Sequence, residues 1–203
     1  MLLVCLMGWL GSAPLCAAEL ENMTMTDKAG VYRISLRMLL DVPAQQVWEV
    51  LTDYRHIYRL SPSITESRLL PTLDGGRAGR VFTRTQGCVA FYCREFSRVQ
   101  DVWEHPPREI ETRTVPEMSD FHSGSAHWYI RDLGGRTELD YEASLEPAFF
   151  LPPVVGGYFL KQAFKEQTLL SFDKIECIAR VNLAIQKDSG VATYAKMPTD
   201  NGC

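Results

Sequence analysis

Arg84, Arg94 and Arg113 stand in segments of alternating apolar and polar residues. A guanidinium turned into an apolar interior presents a planar fork of N–H donors, which suits a carboxylate or phenolate head group. The same arginines on an outer sheet face would be solvated, and a period of two leaves each one open to either side. Trp128 and Tyr141 join apolar area to a polar tip. His127 or Tyr141, if inside, could also move a proton as general acid or base. Near the C-terminus Gln167 and Lys174 fall within the apolar arc of a long helix, with Phe159 and Ala163. A polar group buried without partners is costly. Either these two line a cavity, or Lys174 reaches solvent and Gln167 bonds to backbone.

Other constellations are weaker. His122 and His127 are five apart on an expected strand and face opposite ways, and no Cys/His set has zinc spacing, so no metal or other cofactor is expected. Ser171-Phe172-Asp173-Lys174 has Ser-x-x-Lys spacing without the Ser-Asp-Asn and Lys-Thr-Gly partners of that chemistry. No catalytic residue is assigned.

The elements that must position these side chains follow from periodicity. Val31 to Leu40 alternates, with Tyr32, Ile34, Leu36 and Met38 on one face. Asp41 is the expected cap of a short helix entered through Pro43, and a second short helix follows the Asp53-Tyr54 turn. Six further strands are expected: from Ile64, Gly79, Phe91, Glu109, Ser123 and Arg136. Gln86-Gly87 is read as a hinge, and Leu133-Gly134-Gly135 as a hairpin turn. The last strand points Thr137, Leu139, Tyr141, Ala143 and Leu145 inward. A long amphipathic helix over about 155–186 completes the order, with Leu170, Ile175 and Ile178 on its apolar arc and Glu176 opposite. The class is α+β: a curved antiparallel sheet of seven strands around a C-terminal helix, with a hollow where the two surfaces diverge.

The chain has 203 residues, a formal net charge of −4 and no basic block, which excludes a sequence-independent nucleic-acid binder. Leu2 to Leu10 is nearly all apolar, and Cys16-Ala17-Ala18 supplies small residues before Glu19. Residues 1–18 are therefore read as a signal peptide cleaved near Ala18, too short to span a bilayer, and the protein as periplasmic or secreted. Residues 29–186 form the expected domain and 187–203 a flexible tail. Cys88 and Cys93 are either a disulfide across a tight hairpin or two small buried hydrophobes. Export favours the bridge.

Val42-Pro43-Ala44-Gln45-Gln46-Val47-Trp48, Leu51-Thr52-Asp53-Tyr54 and Ser61-Pro62 with Ile64 resemble the opening helix, turn and second-strand entry of the START-like (SRPBCC) helix-grip superfamily. The likeness is to its polyketide cyclase/dehydrase and coenzyme-Q-binding branch. It implies a helix-grip fold whose cavity takes a small hydrophobic or amphipathic ligand such as a lipid, quinone or polyketide-like aromatic, with transient membrane contact. A non-catalytic binder is the expectation, and a cyclase/dehydrase-type enzyme is the alternative.

Overall fold

The computed structural model describes residues 18–71, 79–89, 92–150 and 157–189. The expected signal peptide up to residue 17, the segment 72–78 and the expected tail beyond 189 lie outside the described residues, and residues 187–189, expected in that tail, continue the last helix.

Among the described residues eight strands form one antiparallel sheet: β1 (Glu19–Lys28), β2 (Val31–Leu40), β3 (Ile64–Leu70), β4 (Gly79–Val89), β5 (Tyr92–His105), β6 (Glu109–Thr114), β7 (Phe121–Asp132) and β8 (Thr137–Pro147). Their spatial order is β1-β2-β8-β7-β6-β5-β4-β3, so β3 to β8 make a meander and β2 closes back onto β8. Helix α1 (Ala44–Leu51) and a 3-10 segment (Tyr54–Arg59) interrupt the chain between β2 and β3, and α2 (Gly157–Ser189) lies against the sheet. The helix-grip class is as expected, with one more strand. β1 escapes a periodicity reading because a register shift between Leu20 and Asn22 breaks its alternation.

Period two fixes the inner face. On β2, Ile34, Leu36, Met38 and Leu40 are all buried and stand beside Ala143, Tyr141, Leu139 and Thr137 of β8. One end of this face is a packed core, where Val47, Val50 and Leu51 of α1 meet Phe172, Ile175, Ile178 and Ala179 of α2. Thr137 Oγ1 donates to the Val42 carbonyl at 2.7 Å, which ties β8 to the entry of α1. The tight β7–β8 turn requires glycine: Gly134 and Gly135 have φ of 77° and 103°.

Several local expectations are corrected. Pro43, not Asp41, is the α1 cap, and its carbonyl accepts the Gln46 N–H at 3.1 Å. The expected hinge at Gln86-Gly87 is continuous strand. On α2 the inward side is rotated: Phe172 and Glu176 are buried and Leu170 is exposed. No helix among the described residues is long and apolar enough to cross a membrane.

Candidate functional site

Toward the other end of the strands the sheet and α2 part. A cavity of about 450 Å³ opens between the inner face, the 3-10 segment and the first half of α2. Three groups of side chains define it. An aromatic wall comes from Phe96, Phe121 and Phe149, whose ring centroids lie 5.5–5.8 Å apart. An apolar wall comes from Ile34, Leu145, Leu51, Ile57, Phe164 and Ile175. Between them Thr83, Thr85, Arg98, Gln100 and Thr112 make a polar track on β4, β5 and β6.

Arg98 is the centre of that track. Its Nε donates to Thr114 Oγ1 at 2.9 Å, while Nη2 is enclosed with no hydrogen-bond partner. Room for the pair comes from Gly124, where a Cβ would stand 2.5 Å from Thr114 Oγ1 and 3.3 Å from Arg98 Nη2. Burial lowers the guanidinium pKa, opposed by the nearby Tyr141. Burial also raises the Tyr141 phenol, opposed by Arg98, so at neutral pH Tyr141 is a protonated donor.

Of the residues chosen from sequence, Trp128 and Tyr141 line the cavity, their ring centroids 4.2 Å apart. The other strand candidates require correction. The inward residues of β4 are Val81, Thr83 and Thr85, so Arg84 points outward, its Nε 3.8 Å from a carboxylate oxygen of Glu66 and of Glu95. Ile110 and Thr112 are the inward pair on β6, and Arg113 stacks over Trp103 on the other face, 5.3 Å from the ring centroid. His127 lies between inward Ala126 and Trp128 and therefore faces out, bonded to Glu109 and to Tyr129 Oη. Arg94 shares the parity of Phe96 and Arg98 but sits exposed at the hairpin mouth, 4.5 Å above the Phe149 ring.

The helix candidates are peripheral. Gln167 is exposed at the rim and accepts from Ser63 Oγ at 2.7 Å, a side-chain partner where backbone was the alternative. Ala163 and Lys174 are half-buried and do not line the cavity. The Phe159 side chain lies outside the described residues. Ser171 does face the cavity, but its hydroxyl donates back to the Gln167 carbonyl at 2.8 Å. Sequence reading missed Arg98 altogether.

On the outer face Glu109, Glu111 and His127 have ligand atoms within 4.8 Å of one another, the one group among the described residues able to converge on a cation. Cys88 and Cys93 stand directly opposite in the β4–β5 register, with Cα atoms 4.0 Å and sulfurs 2.11 Å apart.

At the cavity floor Tyr54 Oη donates to Glu104 Oε1 at 2.7 Å. Burial, and then this bond to a carboxylate, push the Tyr54 phenol up. Both Tyr54 and Tyr141 thus titrate above the unfolded phenol range of about 10. Their contribution to stability is complete below that pH and is lost as pH climbs past it, because the unfolded chain ionises first. Urea midpoints are expected to be level to about pH 9.5 and to fall above pH 10. Tyr54→Phe should make the fall shallower and cost about 1–2 kcal/mol at neutral pH, since Glu104 loses its donor. An unchanged alkaline profile in that variant would contradict the assignment.

A family model described as polyketide cyclase / dehydrase and lipid transport matches residues 40–168. No curated protein matches the sequence. Among solved structures the chain is similar to the Zhui aromatase/cyclase from a Streptomyces species, at 18% identity over 79% of this chain and 99% of that one, with a TM-score of 0.56. It is similar to human STARD10 at 16% identity over 82% and 76% of the two chains, TM-score 0.58. A START superfamily protein from Mycobacterium smegmatis gives 17% identity, 75% and 98% coverage and a TM-score of 0.56. At such identities the likeness establishes the fold.

Proposed function

Because the chain belongs to the polyketide cyclase/dehydrase and lipid transport family, we propose that it is a binding protein. It holds one small hydrophobic or amphipathic molecule (a lipid, quinone or polyketide-like aromatic) between the sheet and α2. The observation that carries this reading is the lining of the cavity. Among the described residues it contains no His, Cys, Asp, Glu or Lys and has Arg98 as its one charged group. Such a lining can desolvate and orient a molecule, but it offers no nucleophile activated by a base. Burying about 300 Å² of apolar ligand surface at about 25 cal/mol/Å² gives roughly 7.5 kcal/mol before the costs of association, enough for a carrier.

The alternative is a cyclase/dehydrase-type enzyme, supported by the family description and by an aromatase/cyclase among the similar structures. Of the two acids expected from sequence only Tyr141 lines the cavity, since His127 faces away from it. Native mass spectrometry of protein purified from its own host is expected to show a bound organic molecule released unchanged. An empty protein that also takes up no apolar fluorescent probe would overturn the binding reading. Turnover of the released molecule, lost in Tyr141→Phe and kept in His127→Ala, would replace it with the enzyme.

Export to an oxidising compartment, periplasmic or extracellular, is part of the proposal. Its support is the apolar run before Glu19 together with the facing Cys88 and Cys93. Alkylation of both thiols in native, unreduced protein would argue against it.

A further inference from the structure

We propose that the natural ligand is an organic acid whose carboxylate or acidic phenolate lies against Arg98. The inference rests on the binding reading and deepens it. A guanidinium is ionised under all ordinary conditions, so placing it beside an apolar cavity fixes a positive charge there. No carboxylate lines the cavity among the described residues. The acids nearest along the chain are engaged elsewhere: Glu95 stands 3.8 Å from Arg84, Asp101 accepts from Arg80 at 2.7 Å and Glu104 from Tyr54 at 2.7 Å, while Asp120 accepts the Ser97 N–H at 2.7 Å. Tyr141, a protonated phenol, does not neutralise it. One nitrogen of the fork is spent on the neutral Thr114 hydroxyl, and Nη2 has no hydrogen-bond partner.

An enclosed cation without a counter-charge opposes folding, and its position 5.9 Å over the Phe121 ring offsets only part of that cost. A ligand anion supplies both the missing charge and the missing acceptor. A ketone or ester would satisfy Nη2 but leave the charge, which is why an acid is favoured over a neutral amphiphile. The surroundings agree. Gly124 adds no side chain of its own beside Nη2, where a Cβ would stand 3.3 Å from that nitrogen. Gln100 does not compete, because its Nε2 is held by Thr112 Oγ1 at 2.8 Å. The phenol of Tyr141 adds a second donor from β8, and the aromatic wall of Phe96, Phe121 and Phe149 takes apolar substance beyond the head.

The test is isothermal titration of the full chain, stripped of any co-purified molecule, with matched acids and methyl esters. Dodecanoic acid with methyl dodecanoate samples chains, and 2-naphthoic acid with methyl 2-naphthoate samples rings; 2-naphthol with its methyl ether tests a phenol head. The acidic member of at least one pair is expected to bind about 10- to 100-fold tighter, the size of a charge-assisted hydrogen bond. In Arg98→Met that preference should vanish while the ester or ether keeps its affinity. If Arg98→Met does not fold, Gly124→Ala crowds the same pair and should weaken the acid selectively. Acid and ester bound equally would overturn the inference and leave the binding reading standing. Binding of none of the probes would overturn both.

Discussion

A Glu176→Ala variant is expected to be about 3 kcal/mol less stable than the native chain, the range for removing one partner of a buried ion pair. Glu176 is 1% exposed, deep in the contact between α2 and the start of α1. Its Oε2 accepts the Asp41 N–H at 3.1 Å, and its Oε1 accepts Arg180 Nε at 3.1 Å and Nη2 at 2.8 Å. Arg180 also donates to Asp41 Oδ2 at 2.9 Å, so one carboxylate joins the helix to the strand exit from two directions. Alanine would leave the Asp41 N–H without this acceptor and Arg180 without its two bonds to Glu176. Removing Arg180 instead would leave the buried Glu176 carboxylate with the Asp41 N–H but no counter-charge, and a loss of similar size is expected. Urea unfolding at neutral pH measures both. A loss below 1 kcal/mol for Glu176→Ala would show that the junction is held by apolar packing alone.

The same residue explains how far sequence could go. Glu176 and Arg180 read as a solvated helix face because helical periodicity sorts residues by polarity, and a buried ion pair inverts that sorting. Phe172 is buried in the core on the side that faces the sheet. Strands with one wet face were easier. β2 and β8 alternate cleanly, so their inner residues, including Tyr141, were assigned correctly from period two.

β4 and β5 were ambiguous for a physical reason. Both of their faces carry apolar residues: Val81 and Val102 inside, Phe82 and Val99 outside, where the segment before β7 covers Val99 through Ser119. The information that would have resolved them was present in the cysteines. If Cys88 faces Cys93, counting back along the hairpin sets Thr83 opposite Arg98 and Arg84 opposite Ser97. Directly opposed residues share a face. With Val81 inside, Arg98 goes in and Arg84 goes out. What no pairing rule could supply is the hollow itself, which depends on α2 diverging from the sheet.

That hollow has a sequence basis in small side chains, and filling one of them is the sharpest test of it. Thr112, Ala126 and Ala143 lie side by side across β6, β7 and β8, with Gly124 next along β7. Larger residues in this row would reach toward α2 and close the gap, as Leu139 and Ile130 do in the packed core beyond. Ala126→Phe projects a ring into the 450 Å³ space from its wall. Affinity for an apolar probe is expected to fall by about 100-fold or more, since no comparable volume remains beside Trp128 and Arg98. Stability should change by less than about 1.5 kcal/mol, because the ring enters a void instead of a filled core. Ala126→Val, which adds only two methyl groups, should bind with intermediate affinity. Equal binding by all three proteins, each shown to be folded by its thermal transition, would mean that ligands sit elsewhere on the molecule. A graded loss at constant stability would locate the ligand between the sheet and α2 by volume alone, independently of any charge on its head.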